Sequence, residues 1–182
     1  MRAFFSFVWE IIKVVIISIL IVVPIRYFLI QPFFVKGMSI EPSFDDGQYL
    51  VIDEISYRFE SPERGEVIVF KYPNDPSQYY IKRLIGLPGE TVEIVGGGII
   101  IYNNEHPDGR VLSEQYLPKD LKTIGNIKLT LKESEYFVLG DNRGASSDSR
   151  RWGPLDRDFI VGRVWLRVWP FNTAQVFAAP AY

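Results

Sequence analysis

With 182 residues, of which 47% are hydrophobic and 23% charged, the chain is long enough for one principal domain with a substantial core, which excludes a disordered linker. Its 20 basic and 22 acidic residues nearly cancel, which argues against binding nucleic acid through a broad basic surface. Because the chain has no cysteine and one histidine, thiol nucleophiles, disulfides and metal sites built from Cys or several His residues are excluded.

The first 36 residues are more apolar than the rest of the chain. Residues 14–25 carry no charge, and apolar flanks extend this stretch to about 20 residues, enough helix to cross a bilayer. We therefore predict a membrane-anchoring helix over about 4–30, within an N-terminal segment 1–36. No small-residue cleavage site follows it, which favours a retained anchor. A helix lying in the membrane interface is the alternative, and basic residues at both ends leave the orientation open.

Residues 37–182 are predicted to form an all-β domain. Short segments rich in β-branched and aromatic residues alternate with turns containing Gly, Pro, Asn and Asp, and no long amphipathic helical pattern occurs. The predicted strands are 48–55, 66–72, 78–85, 91–95, 98–103, 127–132, 135–140 and 159–169. The polar stretch 104–126 is predicted to be an insertion between two of these strands.

Three segments carry polar residues that the strand pattern does not require. Ser39 lies in a turn between a glycine and a proline, where serine usually serves as a turn or capping residue. Lys82 lies in the apolar sequence YYIKRLIGL, on the same strand face as apolar residues, although a lysine that extends its amine into solvent is the ordinary alternative. The segment 139–155 contains alternating acids and arginines, a pattern that is also typical of a solvated loop.

A serine and a buried lysine can together perform nucleophilic catalysis. Serine needs a base to accept its proton, and His106 lies in a polar turn sequence where we expect an ordinary exposed loop residue. A lysine amine can be that base if its pKa falls from about 10.4 to about 7 or 8, a shift that burial produces. Ser39 and Lys82 are therefore the candidate nucleophile and general base.

The order of these segments resembles the bacterial type I signal peptidase family. The shared motifs run from Gly37 to Phe171 in the order G-x-S-x-x-P, R-G-E-V-I-V-F, Y-I-K-R-x-I-G-L-P-G-E, G-D-N-R, S-x-D-S-R-x-x-G and G-R-V-W-L-R-V-W-P-F. The resemblance implies an antiparallel β fold behind an N-terminal transmembrane helix. It also implies a membrane-bound serine endopeptidase that removes N-terminal signal peptides from exported preproteins, cutting after small residues.

The same resemblance implies a location and partners. The enzyme would be a single-pass protein of the bacterial plasma (inner) membrane, with its catalytic domain on the outer side. Its partners would be the lipid bilayer and preproteins that carry signal peptides, and it would need no metal or organic cofactor and bind no nucleic acid.

The family's catalytic residues correspond to particular positions of this chain. By resemblance, Ser39 is expected to be the nucleophile and Lys82 the general base, with Ser146 holding the lysine amine by a hydrogen bond. The backbone amide of Ser39 is expected to form part of the oxyanion hole. Gly37 stands where some members carry a serine that supplies a second donor, so the second donor stays unidentified.

Two structural ion pairs are also expected near the site by resemblance. Arg83 is expected to pair with Asp141, and Asp148 with Arg150 behind the site. If these charges neutralise one another, they leave the lysine amine without a direct counter-ion.

Two other interpretations remain open. One is a relative with the same dyad and a specialised task, such as a self-cleaving repressor or an organelle or conjugation-associated processing peptidase; a repressor would need a DNA-binding helix pair where residues 1–36 are apolar. The other is a catalytically inactive, membrane-tethered β domain. The presence of a serine and a lysine at the two dyad positions argues against it.

Overall fold

The structure is a computed structural model that describes residues 2–28 and 30–180. Helix α1 (Arg2–Phe28) precedes the strands, and a short helix α2 (Ser149–Trp152) and three single 3₁₀ turns lie among them. The strands are β1 (Ile30–Phe34), β2 (Tyr49–Asp53), β3 (Val67–Tyr72), β4 (Asp75–Gly86), β5 (Thr91–Val95), β6 (Gly98–Tyr102), β7 (Arg110–Val111), β8 (Ile127–Thr130), β9 (Glu135–Leu139), β10 (Leu155–Asp156), β11 (Ile160–Trp169) and β12 (Gln175–Val176).

Helix α1 is 27 residues long and exposes most of its described apolar side chains. The predicted helix is present, but it begins at Arg2, and Ile30 belongs to β1 rather than to the helix. No helix in the described part of the chain is both long enough and apolar enough to cross a membrane.

The larger sheet is antiparallel and has eight strands in the order β1-β2-β11-β3-β4-β9-β10, with β12 paired to β11. Alternating residues of β3 join different apolar clusters, Val67 and Val69 on one face and Ile68 and Phe70 on the other. Both faces of the sheet are therefore covered. Within the hairpin β3–β4, Lys82 stands opposite Ile68 in the middle of this sheet.

The smaller sheet has four antiparallel strands in the order β7-β6-β5-β8. Its apolar face packs on the end of β4 and on β9, where Ile85 and Phe137 share a buried cluster with Val92 and Ile94. A side chain at Gly86 would collide with Val92, so glycine allows the two sheets to approach.

The prediction of a mainly antiparallel β protein is confirmed, and every predicted strand is present, most of them with somewhat different ends. Four strands were not predicted: β1, β7, β10 and β12. Strand β1 follows the apolar helix without a change in hydropathy, and its Pro32 argues against a strand except at a sheet edge, which is where β1 lies. The other three have two residues each, too few for a periodic pattern. The segment 104–126 lies between β6 and β8 and contains β7, while its bounds as an insertion remain a prediction.

Candidate active site

Ser39 lies in an irregular turn, residues 37–44, that follows β1. The turn begins at Gly37, whose φ of +89° favours glycine, and the Gly37 amide donates a 2.6 Å hydrogen bond to Asp46. Ile40 and Phe44 are completely buried and anchor the turn to the core. The position of Ser39 is therefore set by the Gly37–Asp46 hydrogen bond before it and by the packing of Ile40 and Phe44 after it.

The side chains of Ser39 and Lys82 meet, although 43 residues separate them in the chain. Lys82 Nζ lies 2.7 Å from Ser39 Oγ and donates a second hydrogen bond of 2.8 Å to the carbonyl of Ile81. The lysine is only 3% exposed. Its burial lowers the pKa of the Lys82 amine to about 8, although the negative charges of Asp148 and Asp141 oppose this shift.

Both of these carboxylates are held by arginines. Asp141 accepts hydrogen bonds of 2.9 and 2.6 Å from Arg83, and Asp148 accepts two of 2.8 Å from Arg150. Burial alone would raise the pKa of Asp148, but hydrogen bonds and the charge of Arg150 hold it below its usual value. Among the described residues Lys82 forms no ion pair, so neither carboxylate binds the amine directly.

The expected hydrogen bond from Ser146 to Lys82 is absent, which corrects the sequence prediction. Ser146 is buried, and its Oγ has no hydrogen-bond partner in the described structure. It lies close enough to Asp148 to help lower the pKa of that carboxyl, but not with hydrogen-bond geometry. The physical reason is that the lysine amine is directed to Ser39 and to the Ile81 carbonyl, an acceptor that side-chain motifs do not reveal.

The loop after β9 packs tightly against the nucleophile turn. A side chain at Gly140 would collide with Ser146 and with the carbonyl of Ser39. The backbone amide of Asn142 donates a 3.3 Å hydrogen bond to the Ser39 carbonyl, and its side-chain Nδ2 donates a 3.1 Å hydrogen bond to the Met38 carbonyl. The Ser39 amide makes no hydrogen bond to another described residue, so it is available to an incoming oxyanion.

A cleft of about 450 Å³ opens onto the dyad. It is lined by Lys36, Ser39, Gln78, Tyr79, Tyr80, Ile81, Lys82, Ala145 and Ser147. An adjoining apolar cavity of only about 60 Å³ is formed by residues of β1 to β4 and includes Phe33, Val69 and Ile81. A larger cavity of about 600 Å³ lies between the small sheet and residues 112–121, but none of the predicted site residues lines it.

Among the described residues, neither the histidine nor a cluster of acidic residues forms a second candidate catalytic or metal site. His106 lies in a turn, as predicted, with its amide bonded to the Asn103 side chain at 2.8 Å, and it is half-buried rather than exposed. No cluster of His, Asp or Glu residues able to hold a metal ion occurs in residues 2–28 and 30–180.

Sequence reasoning missed several residues that hold the site together. Ser43, in the nucleophile turn, donates to Asp141 at 2.5 Å, and Tyr116 lies over the Arg83 guanidinium. Glu114 binds Arg143, a residue of the G-D-N-R motif to which no role was assigned. These contacts join distant parts of the chain, and no local pattern of residues signals them.

Comparison with known proteins places the chain among signal peptidases. The chain matches the family model described as signal peptidase, peptidase S26, over residues 8–169. It is 34% identical over 156 residues to signal peptidase IB of Staphylococcus aureus strain Mu50, covering 80% of this chain and 81% of that protein. A probable signal peptidase I-2 of Synechocystis is 34% identical over 165 residues, 87% of this chain and 72% of that one. A crystal structure of a signal peptidase I from Enterococcus faecalis aligns at 35% identity with a TM-score of 0.49, covering 58% of this chain and 97% of that one.

Proposed function

The chain belongs to the signal peptidase family, peptidase S26, and we propose that it removes signal peptides from exported preproteins as a serine endopeptidase with Ser39 as nucleophile and Lys82 as general base. The observation that carries this assignment is the 2.7 Å contact between Lys82 Nζ and Ser39 Oγ, made by an amine that is only 3% exposed. A serine hydroxyl is a weak nucleophile unless a neighbouring base takes its proton. In the described structure the lysine is the base in contact with it.

The first chemical step transfers one proton and forms one bond. Ser39 Oγ attacks the scissile carbonyl carbon while neutral Lys82 accepts the hydroxyl proton and becomes an ammonium. The carbonyl oxygen becomes an oxyanion, and the Ser39 amide, which makes no hydrogen bond to another described residue, would stabilise it. The Lys82 pKa of about 8 supports this role, because a useful fraction of the amine is then neutral near physiological pH.

The second half of the reaction returns the proton. The tetrahedral intermediate collapses, the scissile C–N bond breaks, and the Lys82 ammonium protonates the leaving amine. A water molecule then attacks the ester on Ser39 and gives its proton to Lys82. The ester C–O bond breaks, the Lys82 ammonium returns the proton to Ser39 Oγ, and the signal peptide leaves with a new carboxyl terminus.

The shape of the cleft supports cleavage after small residues. An extended substrate in the cleft would place alternate side chains toward the sheet. The adjoining apolar cavity of about 60 Å³ has room for a methyl group but not for a large side chain. Substrates with alanine or another small residue near the cut are therefore favoured.

We further propose that α1 anchors the enzyme in the bacterial plasma (inner) membrane as a single pass, with the β domain on the outer side. The described apolar side chains from Phe4 to Val22 are largely exposed, which is costly in water and favourable in lipid. Glu10 and Lys13 pair at 2.6 Å, which reduces the cost of placing either charge near lipid. Trp169 and Phe171 are 47% and 77% exposed and are suited to the membrane interface.

Cleavage of a preprotein by the detergent-solubilised chain tests the enzymatic proposal. We expect one new amino terminus, after a small residue, with the wild type and with the matched control Ser61→Ala, which changes an exposed serine outside the site. Ser39→Ala should yield no product. Cleavage by Ser39→Ala, or no cleavage of any preprotein by the wild type, would contradict the proposal.

Fractionation of cells tests the membrane proposal separately. We expect the protein to stay with membranes after alkaline carbonate treatment, and protease added from the outer side to digest the β domain. Release by carbonate would favour a helix lying in the interface.

A further inference from the structure

The segment of residues 112–123, here called the docking segment, contacts the back of the candidate active site. Its Glu114 binds the guanidinium of Arg143, with one hydrogen bond of 2.8 Å and a second to the other carboxylate oxygen. Thr123 accepts a further hydrogen bond from the same arginine. Arg143 is 2% exposed and also donates to the Gly140 carbonyl at 3.1 Å. The docking segment therefore fixes the loop that lies against Ser39.

Tyr116 connects the docking segment to a second arginine. The Arg83 guanidinium carbon lies 3.8 Å from the centre of the Tyr116 ring, a stacking distance. The Tyr116 hydroxyl donates to Glu114, the same carboxylate that binds Arg143. One tyrosine and one glutamate thus join Arg83 on β4 to Arg143 in the loop that follows β9, residues 140–148, here called the catalytic loop.

Arg83 is itself a junction between three parts of the site. It follows Lys82 on β4, and it binds Asp141 in the catalytic loop through two hydrogen bonds. It also contacts the Ser43 hydroxyl at 3.0 Å in the nucleophile turn. A shift of Arg83 would therefore displace the nucleophile turn, the catalytic loop and the strand that carries the base.

We propose that Tyr116 and Glu114 are positioning residues for the Ser39–Lys82 pair: the tyrosine ring covers one face of Arg83, and the glutamate fixes Arg143. The proposal rests on the proposed function and extends it to a segment outside the cleft. Neither residue lines that cleft, so both act through the two arginines and not on substrate.

Removal of the ring has a definite electrostatic consequence. Water would reach the Arg83 guanidinium and weaken its pairing with Asp141, whose negative charge would then act more strongly on Lys82. Asp148, the other carboxylate that acts on the amine, would stay neutralised by Arg150. The amine would therefore keep its proton to a higher pH, and less of it would be available as a base.

Three variants of the full chain test the proposal kinetically. Tyr116→Ala should lower kcat about 10-fold with little change in KM, because geometry rather than substrate binding is disturbed. Tyr116→Phe keeps the ring over Arg83 and should restore most of kcat. Tyr102→Ala is the matched control, since Tyr102 is a half-buried tyrosine of the small sheet whose partner is Glu93. It should keep the wild-type kcat.

A second measurement does not depend on turnover. The titration midpoint of the Lys82 amine, followed by NMR and assigned by its absence in Lys82→Met, should rise in Tyr116→Ala and stay in place in Tyr116→Phe. If the wild type cleaves no preprotein, the proposed function fails, yet this midpoint still decides the positioning role. If Tyr116→Ala does not fold, Glu114→Gln should still lower kcat, because Arg143 loses the carboxylate that fixes it. A wild-type kcat in folded Tyr116→Ala or folded Glu114→Gln, or an unchanged Lys82 midpoint in folded Tyr116→Ala, would overturn the proposal.

Discussion

Lys82 on a strand of the large sheet and Lys128 on a strand of the small sheet have opposite environments. Lys82 on β4 is 3% exposed and has no ion-pair partner among the described residues. Lys128 on β8 has a side chain that is 57% exposed and pairs with Glu93 at 3.2 Å. Burial lowers the pKa of Lys82 to about 8, whereas the hydrogen bond to Glu93 raises the pKa of Lys128.

The difference explains how the arginines around Lys82 allow burial to lower the pKa of its amine, as the proposed role of Lys82 as a base requires. Two carboxylates lie near Lys82, but Asp141 is paired with Arg83 and Asp148 with Arg150. The effect of desolvation on the pKa of Lys82 is therefore larger than the attraction of the two carboxylates. Near Lys128 no arginine binds Glu93 in the described structure, and the carboxylate stabilises the ammonium directly. The pKa of the same residue type is thus lowered in one sheet, which suits the proposed proton acceptor, and raised in the other.

The largest expected effect is on activity. Lys82→Met should reduce kcat by about 10⁴-fold or more, because the serine loses its base, while Lys128→Met should leave kcat unchanged. Initial rates on a peptide that spans a signal-peptide cleavage site measure both. Similar rates in the two variants would mean that another group takes the Ser39 proton.

A smaller effect is expected on stability when one of the buried pairs is broken. Asp141→Asn leaves the Arg83 guanidinium, whose side chain is 7% exposed, without its counter-ion and should lower the free energy of unfolding by about 3 to 5 kcal/mol. Urea unfolding measures this difference. The matched control is Glu135→Gln, which breaks an exposed pair with Lys132 and should change the urea midpoint little. Equal changes in the two variants would contradict the distinction between buried and exposed pairs.

The pH dependence of stability should differ between wild type and Lys82→Met. The Lys82 pKa is about 8 in the folded chain and 10.5 as its ordinary value, so between these pH values the unfolded chain binds more protons. The free energy of unfolding should therefore gain about 3 kcal/mol as pH rises from 8 to 10.5. Lys82→Met should lack this gain and be more stable than the wild type at neutral pH. Parallel stability curves for the two proteins would contradict burial of the lysine.

The smallest effect is expected from the exposed lysine. Because the folded-state pKa of Lys128 is raised, its contribution to stability is present below its ordinary pKa and is lost at higher pH. Solvent screens the pair, so Lys128→Met should shift the urea midpoint only slightly at pH 7. A shift comparable with that of Asp141→Asn would show that exposure does not weaken this ion pair.

Much of the fold could be predicted because the strands are short, rich in β-branched residues and separated by Gly and Pro. Strand β1 could not, because the apolar residues of the helix continue into Ile30–Phe34 and hide the boundary. The dyad could be predicted from chemistry, since a lysine in an apolar strand and a serine in a turn suit each other when no histidine is suitable.

The surroundings of the dyad were less predictable. The orientation of Ser146 depends on packing at Gly140. Lys82 donates a hydrogen bond to the backbone carbonyl of Ile81, and because every residue has a backbone carbonyl, the sequence does not indicate this acceptor. The contacts of Tyr116 and Glu114 arise because the small sheet packs on β4 and β9, a tertiary arrangement that strand patterns do not contain.

The pH dependence of kcat/KM tests most directly whether Lys82 is the base. This ratio reports ionisations of the free enzyme, so activity should rise with pH through an acidic limb at about pH 8, the pKa of the buried amine. The limb should vanish in any Lys82 variant that retains residual activity. A profile that is flat from about pH 5 to 10, or a limb that persists without Lys82, would contradict the assignment.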